Sequence, residues 1–549
     1  MNAAITIDPK DDLAVALRDL EAGETVTVNG ESITVVEKIT AKQKFAMHDF
    51  AIDERATQYG VTVGKATTPI VKGAWISTAN LVHDAHGYSL ADRKMTQWEA
   101  PDVSHLSALT FDGFHRENGA VGTANYWIVI PMVFCENRNV GVMREALLKP
   151  FGYAATSHYE AFGEKIAALC QGDLDAEAIR AFSTESEDIT RPRQLFPNVD
   201  GVKFLTHGLG CGGTRGDSTA LCALLAGYAT HPNVAGTTVL SLGCQNAEVE
   251  TLQEEVKKRD PNYSKPLHIF EQQSWPSERE MMEAAIRETV AGMAEANKLE
   301  RKPAPLSKMI FGAECGASDG FSGVSANPTV GQVSDLLVAL GGSVILSEFP
   351  ELCGVEQELV NRCVTDEVAR DFTTLMDAYN RAAEAVGAKL SENPSPGNIR
   401  DGLITDAIKS AGAAKKGGTS PATAAFDYPG WVQTPGLNLM NTPGNDVEST
   451  TAMAGAHANV IAFTTGMGTP TGNPVTPVIK VASNTELAEK MSDLIDFDCG
   501  PIIRGEQGIE ALGEAMLKLV IEVASGRVKT KAQLLGQDDF LPWKRGVSL

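Results

Sequence analysis

Polar and apolar residues alternate near the start of the chain and give way to longer apolar blocks further on, which divides the sequence into two kinds of structure. TVTVNG (25–30) and SITVVEKI (32–39) alternate around Asn29-Gly30. That pattern predicts a β-hairpin, because Asn and Gly both tolerate the positive φ of a tight turn. Further short strands are predicted in TQYGVTVGKATTPIVKGAWISTAN (57–80), so residues 1–95 read as a small β-rich domain. The polar stretch 96–118, with Pro101 and Gly113, reads as a linker.

From Tyr126 the pattern becomes buried strand followed by amphipathic helix. YWIVIPMVF (126–134) precedes NVGVMREALLKPF, VKFLTHGLG (202–210) precedes STALCALLAGYA, and TTVLSLGCQ (237–245) precedes VETLQEEVKKR. Such alternation predicts an α/β unit with a mainly parallel sheet. PLHIFEQQ, SKMIFGAEC, SVILSEFP, ANVIAFTTG and VIKVASN add strands. The expected catalytic region therefore runs over 119–390 as a first lobe and 391–549 as a C-terminal lobe. SENPSPGNIRDGLIT (391–405) is either a boundary or a long excursion near the site.

Composition narrows the function classes. With 549 residues, two or three domains are expected, and 43% hydrophobic residues supply their cores. A formal charge of −23 disfavours nucleic acid and anionic membranes. The start MNAAITIDPKDD has neither a basic nor an apolar targeting region, and no apolar run reaches about 18 residues, so a cytoplasmic protein is expected. Nine scattered cysteines without CxxC point to reduced thiols rather than a disulfide framework.

Cysteines and acids recur just after apolar runs, in FCEN, HGLGCGG, LGCQN and GAECGASDG. In a parallel sheet these positions converge on the carboxyl edge, where ligands bind. Cys135, His207, Cys211, Cys244 and Cys315 are thus candidate metal ligands, with Glu136, Glu314 and Asp319 nearby. GLGCGG (208–213) also fits GxGxxG after a strand. Thr206 and His207 interrupt that strand, however, and no suitably placed acid follows about 20 residues on, so a nicotinamide-dependent dehydrogenase is the weaker reading. GASDGFSG and FTTGMGTPTGNP offer N–H and O–H donors suited to a polyhydroxylated anion. Among the ten histidines, His48, His83 and His86 fall in the β-rich domain.

DGFHRENGAVGTANYW, NVDGVKFLTHGLGCG, ECGASDGFSGVSANPTVG, NPSPGN, NTPGNDVESTTAMAGAHANVIAFTTGMGTPTG and DFDCG follow one another in order over about 400 residues. In these motifs the chain resembles the altronate and galactarate dehydratases and the related sulfolactate sulfo-lyase. The resemblance implies an N-terminal SAF-type β domain and a large α/β catalytic region. It also implies a divalent metal, Fe²⁺ or Mn²⁺, and dehydration of a sugar acid, altronate first, giving a 2-keto-3-deoxy acid. Galactarate or another aldarate or aldonate, or a sulfolactate-like acid, are the alternatives. The chain departs from the family at Lys42-Gln43-Lys44 and at Trp75–Asn80, where many members carry histidines, and at Gly122-Thr123-Ala124-Asn125, where an arginine is missing. His83 is therefore expected to transfer protons, with Asn80 and His48 as further catalytic candidates. Asn125, Asp319, Ser322, Thr464 and Thr465 are expected to position substrate. A homodimer or higher homo-oligomer is expected.

Overall fold

The computed structural model describes residues 2–154, 158–171, 176–184 and 192–549. The N-terminal β-rich unit is present, built from short antiparallel strands. Ala4–Ile5, Leu13–Ala16, Lys44–Ala46 and Trp75–Ile76 form one sheet in that order. The hairpin Thr25–Val28/Glu31–Thr34 turns at Asn29 and Gly30, with φ of 51° and 81°, as the sequence requires.

Two parallel sheets carry the rest. The first holds β1 (Tyr126–Pro131), β2 (Gly201–Phe204), β3 (Val234–Ser241) and β4 (Leu267–Glu271) in the order β2-β1-β3-β4. The second holds β5 (Ile310–Cys315), β6 (Ser343–Leu346), β7 (Ala422–Asp427), β8 (Gly436–Asn441), β9 (Val460–Thr465), β10 (Val478–Ala482) and β11 (Phe497–Asp498). Its order is β7-β8-β6-β5-β9-β10-β11, all parallel. Its central strands β6, β8 and β9 are buried throughout, the run expected of strands covered on both faces.

Two expected boundaries differ. The seven-stranded sheet takes β5 and β6 from before residue 390 and β7 to β11 from after it, so 390/391 does not separate sheets. The stretch 96–118 contains a strand, Thr110–His115, that buries Phe111 and Phe114 and pairs antiparallel with Lys302–Pro305. Alternation in TFDGFH carried that signal, hidden by the glycine.

Helices α1 (Arg215–Thr230), α2 (Asp406–Ala414) and α3 (Asp446–Gly455) join the sheets to the site. Helix α1 begins in a capping box between Thr214 and Asp217 and crosses α3 where Gly227 meets Gly455. A Cβ at Gly227 would stand 2.2 Å from the Gly455 carbonyl oxygen, backbone that cannot swing aside. Gly227→Ala is expected to cost about 1–3 kcal/mol of stability. Gly216→Ala, whose nearest neighbour would be the Thr214 hydroxyl at 3.8 Å, should be neutral or stabilising. Chemical denaturation of the two variants checks the contrast. Among the described residues, no helix is long and apolar enough to cross a membrane.

Candidate functional site

The carboxyl edge of the seven-stranded sheet gathers buried charge. Strand β5 ends in Glu314 and Cys315, both buried because the apolar run ahead of them fills the core. Strand β6 is followed by Ser347 and Glu348, and Glu348 adopts φ 62°, a left-handed conformation rare for a residue with a long side chain. Thr442, just beyond β8, holds that kink: its Oγ1 accepts from the Glu348 N–H at 2.9 Å and its carbonyl from the Phe349 N–H at 3.1 Å. One turn later Glu351 points into the same region. Asp446 opens α3 beside the Asn445 cap, whose Oδ1 accepts from the Val447 and Glu448 N–H groups.

These side chains form two overlapping sets with donor atoms within 4.8 Å of one another: Cys315, Glu348 and Glu351, and Glu314, Glu348 and Asp446. Glu348 belongs to both. Lys416, fully buried just after α2, places Nζ 2.6 Å from Glu348 Oε2 and 2.8 Å from Cys315 Sγ. Lys409 of α2 lies 2.8 Å from Glu351 Oε1 and also donates to Asn393. Ser449 donates to Glu314 Oε2 at 2.7 Å.

Crowding of like charges in a dry site sets the titration behaviour. Burial, then Glu348, raises Glu314 well above the carboxylate range. Burial, then Glu351, raises Glu348. Burial, then Glu348 and Glu351, pushes Asp446 up to about 7. Burial would raise Glu351 as well, but Lys409 and Lys416 hold it low.

Loops above this cluster come from distant parts of the chain. Lys42 reaches from the N-terminal unit to within 3.0 Å of Asp319 Oδ2. Gln43 Nε2 donates to the Arg400 carbonyl at 2.7 Å and Lys44 Nζ to the Gly402 carbonyl at 2.6 Å. Burial lowers Lys44 to about 7. Asn398 Nδ2 donates to the Ser318 carbonyl at 2.8 Å, so 391–405 is an excursion that joins the N-terminal unit to the cluster's loops.

The sequence-expected residues divide accordingly. Cys315 belongs to the cluster, and Asp319 and Ser322 lie four and seven residues beyond it in one hydrogen-bonded loop, Ser322 Oγ donating to Asp319 Oδ1 at 2.9 Å. Thr464 donates to Asn327 Oδ1 at 2.6 Å, and Thr465 Oγ1 accepts from the Gly468 N–H at 2.9 Å, both at the end of β9. His83 is half-buried, its Nδ1 accepting from the Ala407 N–H of α2 at 3.4 Å, and burial lowers its pKa.

The others fall elsewhere. Cys135, His207, Cys211 and Cys244 lie at the carboxyl edge of the four-stranded sheet, so they do not join Cys315 in one ligand set. Asn125 precedes β1 at the sheet's opposite end, its buried amide donating to the Asn198 and Ala296 carbonyls. Asn80 closes a turn with Ser77 and Trp75. His48 pairs with Asp12 at 3.2 Å and stacks on Phe50. Sequence reasoning missed Glu348, Glu351, Asp446, Lys409 and Lys416.

His207 and His231 share one hydrogen-bond pattern. In each, Nδ1 accepts from the N–H two residues on, and Nε2 faces a carbonyl, of Pro131 at 2.8 Å or Ala458 at 3.0 Å. That fixes the neutral ring. Burial pushes His207 down to about 4 and His231 to about 3. Both rings are free to protonate near 6.5 once unfolded, so the unfolded chain binds more protons below that pH. The stability they contribute is complete above pH 6.5 and is lost as pH falls to about 4 and 3. Over its full window His207 is expected to cost about 3 kcal/mol and His231 about 5 kcal/mol. Urea midpoints between pH 7 and 4 check the slope.

The chain aligns over nearly its whole length with proteins of known activity. Residues 2–84 match the altronate/galactarate dehydratase SAF domain. Residues 113–297 match the D-galactarate dehydratase/altronate hydrolase second domain, and 306–548 the D-galactarate/altronate dehydratase C-terminal domain. The altronate dehydratase of Bacillus subtilis is 33% identical over 531 residues, 96% of either chain. That of Escherichia coli is 31% identical over 527 residues, 95% of either chain. The L-threo-forming galactarate dehydratase of Escherichia coli is 30% identical over 537 residues, 96% of this chain and 93% of its own. With three domain matches in order and relatives 30–33% identical over nearly the whole chain, the chain belongs to the D-galactarate/altronate dehydratase family.

Proposed function

We propose that this protein is a divalent-metal-dependent hydro-lyase that converts D-altronate to 2-keto-3-deoxy-D-gluconate and water. The observation that carries this reading is the buried cluster of Glu314, Glu348, Glu351 and Asp446 against Lys409 and Lys416. Four carboxylates less two ammonium groups leave a charge of −2 when all are ionised, the complement of one divalent cation. Glu314 Oε1 and Glu348 Oε1 are buried and accept from no N–H or O–H donor of the surrounding protein, while the two carboxyls are hydrogen-bonded to each other, so the pair is tenable only with a shared proton or a bound cation. Carboxylates with one thiol suit Mn²⁺ or Fe²⁺. When bound, the ion supplies Lewis-acid stabilisation of negative charge on a hydroxy acid.

The chain's own groups supply the rest. Dehydration removes the C2 proton, breaks the C3–O bond with the hydroxyl leaving as water, and gives an enol that tautomerises to the 2-keto acid. Lys416 and Lys409 hold fixed positive charge where the enolate develops. Asp319, Ser322 and Thr465 orient substrate hydroxyls, and the Lys42–Lys44 segment with 391–405 excludes water.

His83 is the proposed proton-transfer group, a neutral imidazole seated on the start of α2. His83→Ala is expected to lower kcat by about 10²–10⁴ with metal content unchanged. Turnover within a few-fold of wild type would remove His83 from the mechanism. All nine cysteines are free thiols, which suits the cytoplasm, and a homo-oligomer is proposed, testable by light scattering. The deciding experiment is a panel of aldonic and aldaric acids assayed for 2-keto-3-deoxy product, with and without Fe²⁺ or Mn²⁺. Altronate should turn over fastest and only with metal; activity unaffected by chelation would defeat the proposal.

A further inference from the structure

Three thiols that the acid cluster leaves unused stand together on the other sheet. The order β2-β1-β3-β4 reverses direction between β1 and β3, and the crevice outside the carboxyl ends at such a reversal is where ligands bind. Pro131 of β1 is in register with Leu240 of β3. Cys135 and Cys244 each follow by four residues, so adjacent strands deliver a thiol at matched offsets.

The loop after β2 brings the third. Its Leu209 carbonyl accepts from the Phe134 N–H at 3.0 Å, next to Cys135, and its Gly210 carbonyl from the Ala247 N–H at 3.1 Å, three residues past Cys244. Cys211 therefore projects from the strip that joins the other two loops. Gly210, with φ 99°, is required there, since a Cβ would meet the Met132 carbonyl oxygen at 2.2 Å. Gly212 and Gly243 also have positive φ, 71° and 101°, so glycines in left-handed backbone adjoin both Cys211 and Cys244. Backbone N–H groups in such turns favour an anionic ligand.

Exposure sets these thiols apart. Cys135, Cys211 and Cys244 are exposed, whereas Cys222, Cys315, Cys363 and Cys499 are buried, the usual state of an inert cysteine. A cleft of about 430 Å³ lined by Phe134, Asn137, Thr206, His207 and Gly208 opens beside them. His207 is not a ligand here, because both its ring nitrogens are engaged.

We propose that Cys135, Cys211 and Cys244 bind an iron–sulfur cluster of the four-iron type, with one iron left without a protein ligand beside the cleft. A single tetrahedral ion would need its sulfurs about 3.8 Å apart. Among the described residues, the sets with three donors within 4.8 Å do not include this trio. A four-iron cluster takes thiolates set further apart than those on a single ion, and its soft irons prefer thiolates. Binding exchanges three S–H bonds for three Fe–S bonds and releases three protons, with no change of oxidation state. This site is separate from the acid cluster.

The test is iron and acid-labile sulfide analysis of the full-length protein, grown with iron and purified without oxygen. About four sulfides per chain, and about four irons or a fifth where the acid cluster also holds Fe²⁺, with broad visible absorption, are expected. Cys135→Ser, Cys211→Ser and Cys244→Ser should each cut sulfide content more than tenfold. Cys170→Ser, an exposed thiol elsewhere, and Glu348→Gln should retain it. Because a folding defect could mimic loss, alkylation of the wild type is the second measurement: loaded protein should protect the three thiols and leave Cys170 reactive. Iron without sulfide, zinc in its place, a cluster that survives all three substitutions, or equal alkylation of all four thiols overturns the proposal.

Discussion

Glu348→Gln is expected to lower turnover by at least about 10³-fold and to strip tightly held divalent metal while leaving the fold intact. The amide keeps the shape of the side chain and its packing, so only charge and ligand character change. Glu348 is the residue common to both three-donor sets, and its Oε2 also takes the Lys416 ammonium at 2.6 Å. Without it, three carboxylates face two ammonium groups, and a divalent cation would no longer be balanced. A neutral amide oxygen is also a weaker donor to Mn²⁺ or Fe²⁺. Metal content after desalting, kcat with saturating Mn²⁺, and near-ultraviolet circular dichroism decide it together. Retained metal with turnover within tenfold of wild type would show that the reaction runs elsewhere.

The site was partly legible before the fold. Glu314 and Cys315 stand directly after the apolar run IFGA, and an acid or thiol at the end of a buried strand carries its own signal. The three thiols of the four-stranded sheet were found by the same rule, but a sequence does not say which sheet a strand joins. Cys315 was therefore grouped with thiols whose strands pair in a different sheet.

Lys416 carried the opposite signal. It lies in AGAAKKGG, a short low-complexity stretch, and only the packing of the helical turn Lys415–Gly417 against the helix Ala326–Ala339, α2, β5 and β6 buries it. Asp446 reads as an ordinary first-turn acid at a helix start, which it also is. Glu351 sits in a short turn without periodicity. His48 stands out by residue type and Asn80 by its match to a family pattern, and neither criterion knows that Asp12 or the Trp75 carbonyl will satisfy them. The N-terminal hairpin was legible for the reverse reason: Asn29-Gly30 sets its own backbone, whatever packs around it.

Lys416→Met should destabilise the metal-free protein by about 3–5 kcal/mol, the usual cost of removing one partner from a buried ion pair. Methionine fills the space of the lysine stem, so the loss is of charge, not volume. Four carboxylates would then face Lys409 alone, with −3 in a site closed to water. Glu348 is already raised above its ordinary value by burial and Glu351, and losing Lys416 raises it further. The folded variant then holds a proton that the unfolded chain releases near 4.3, so its stability falls as pH rises through that window. The gap to wild type should widen from pH 5 to pH 8. A divalent ion acts against the same excess charge, so Mn²⁺ should narrow the gap at pH 8 and do little at pH 5. Denaturation curves at both pH values, with and without Mn²⁺, measure this. A gap indifferent to pH and to metal would mean that these carboxylates do not share one charge balance, and with that the proposed cation site would fall.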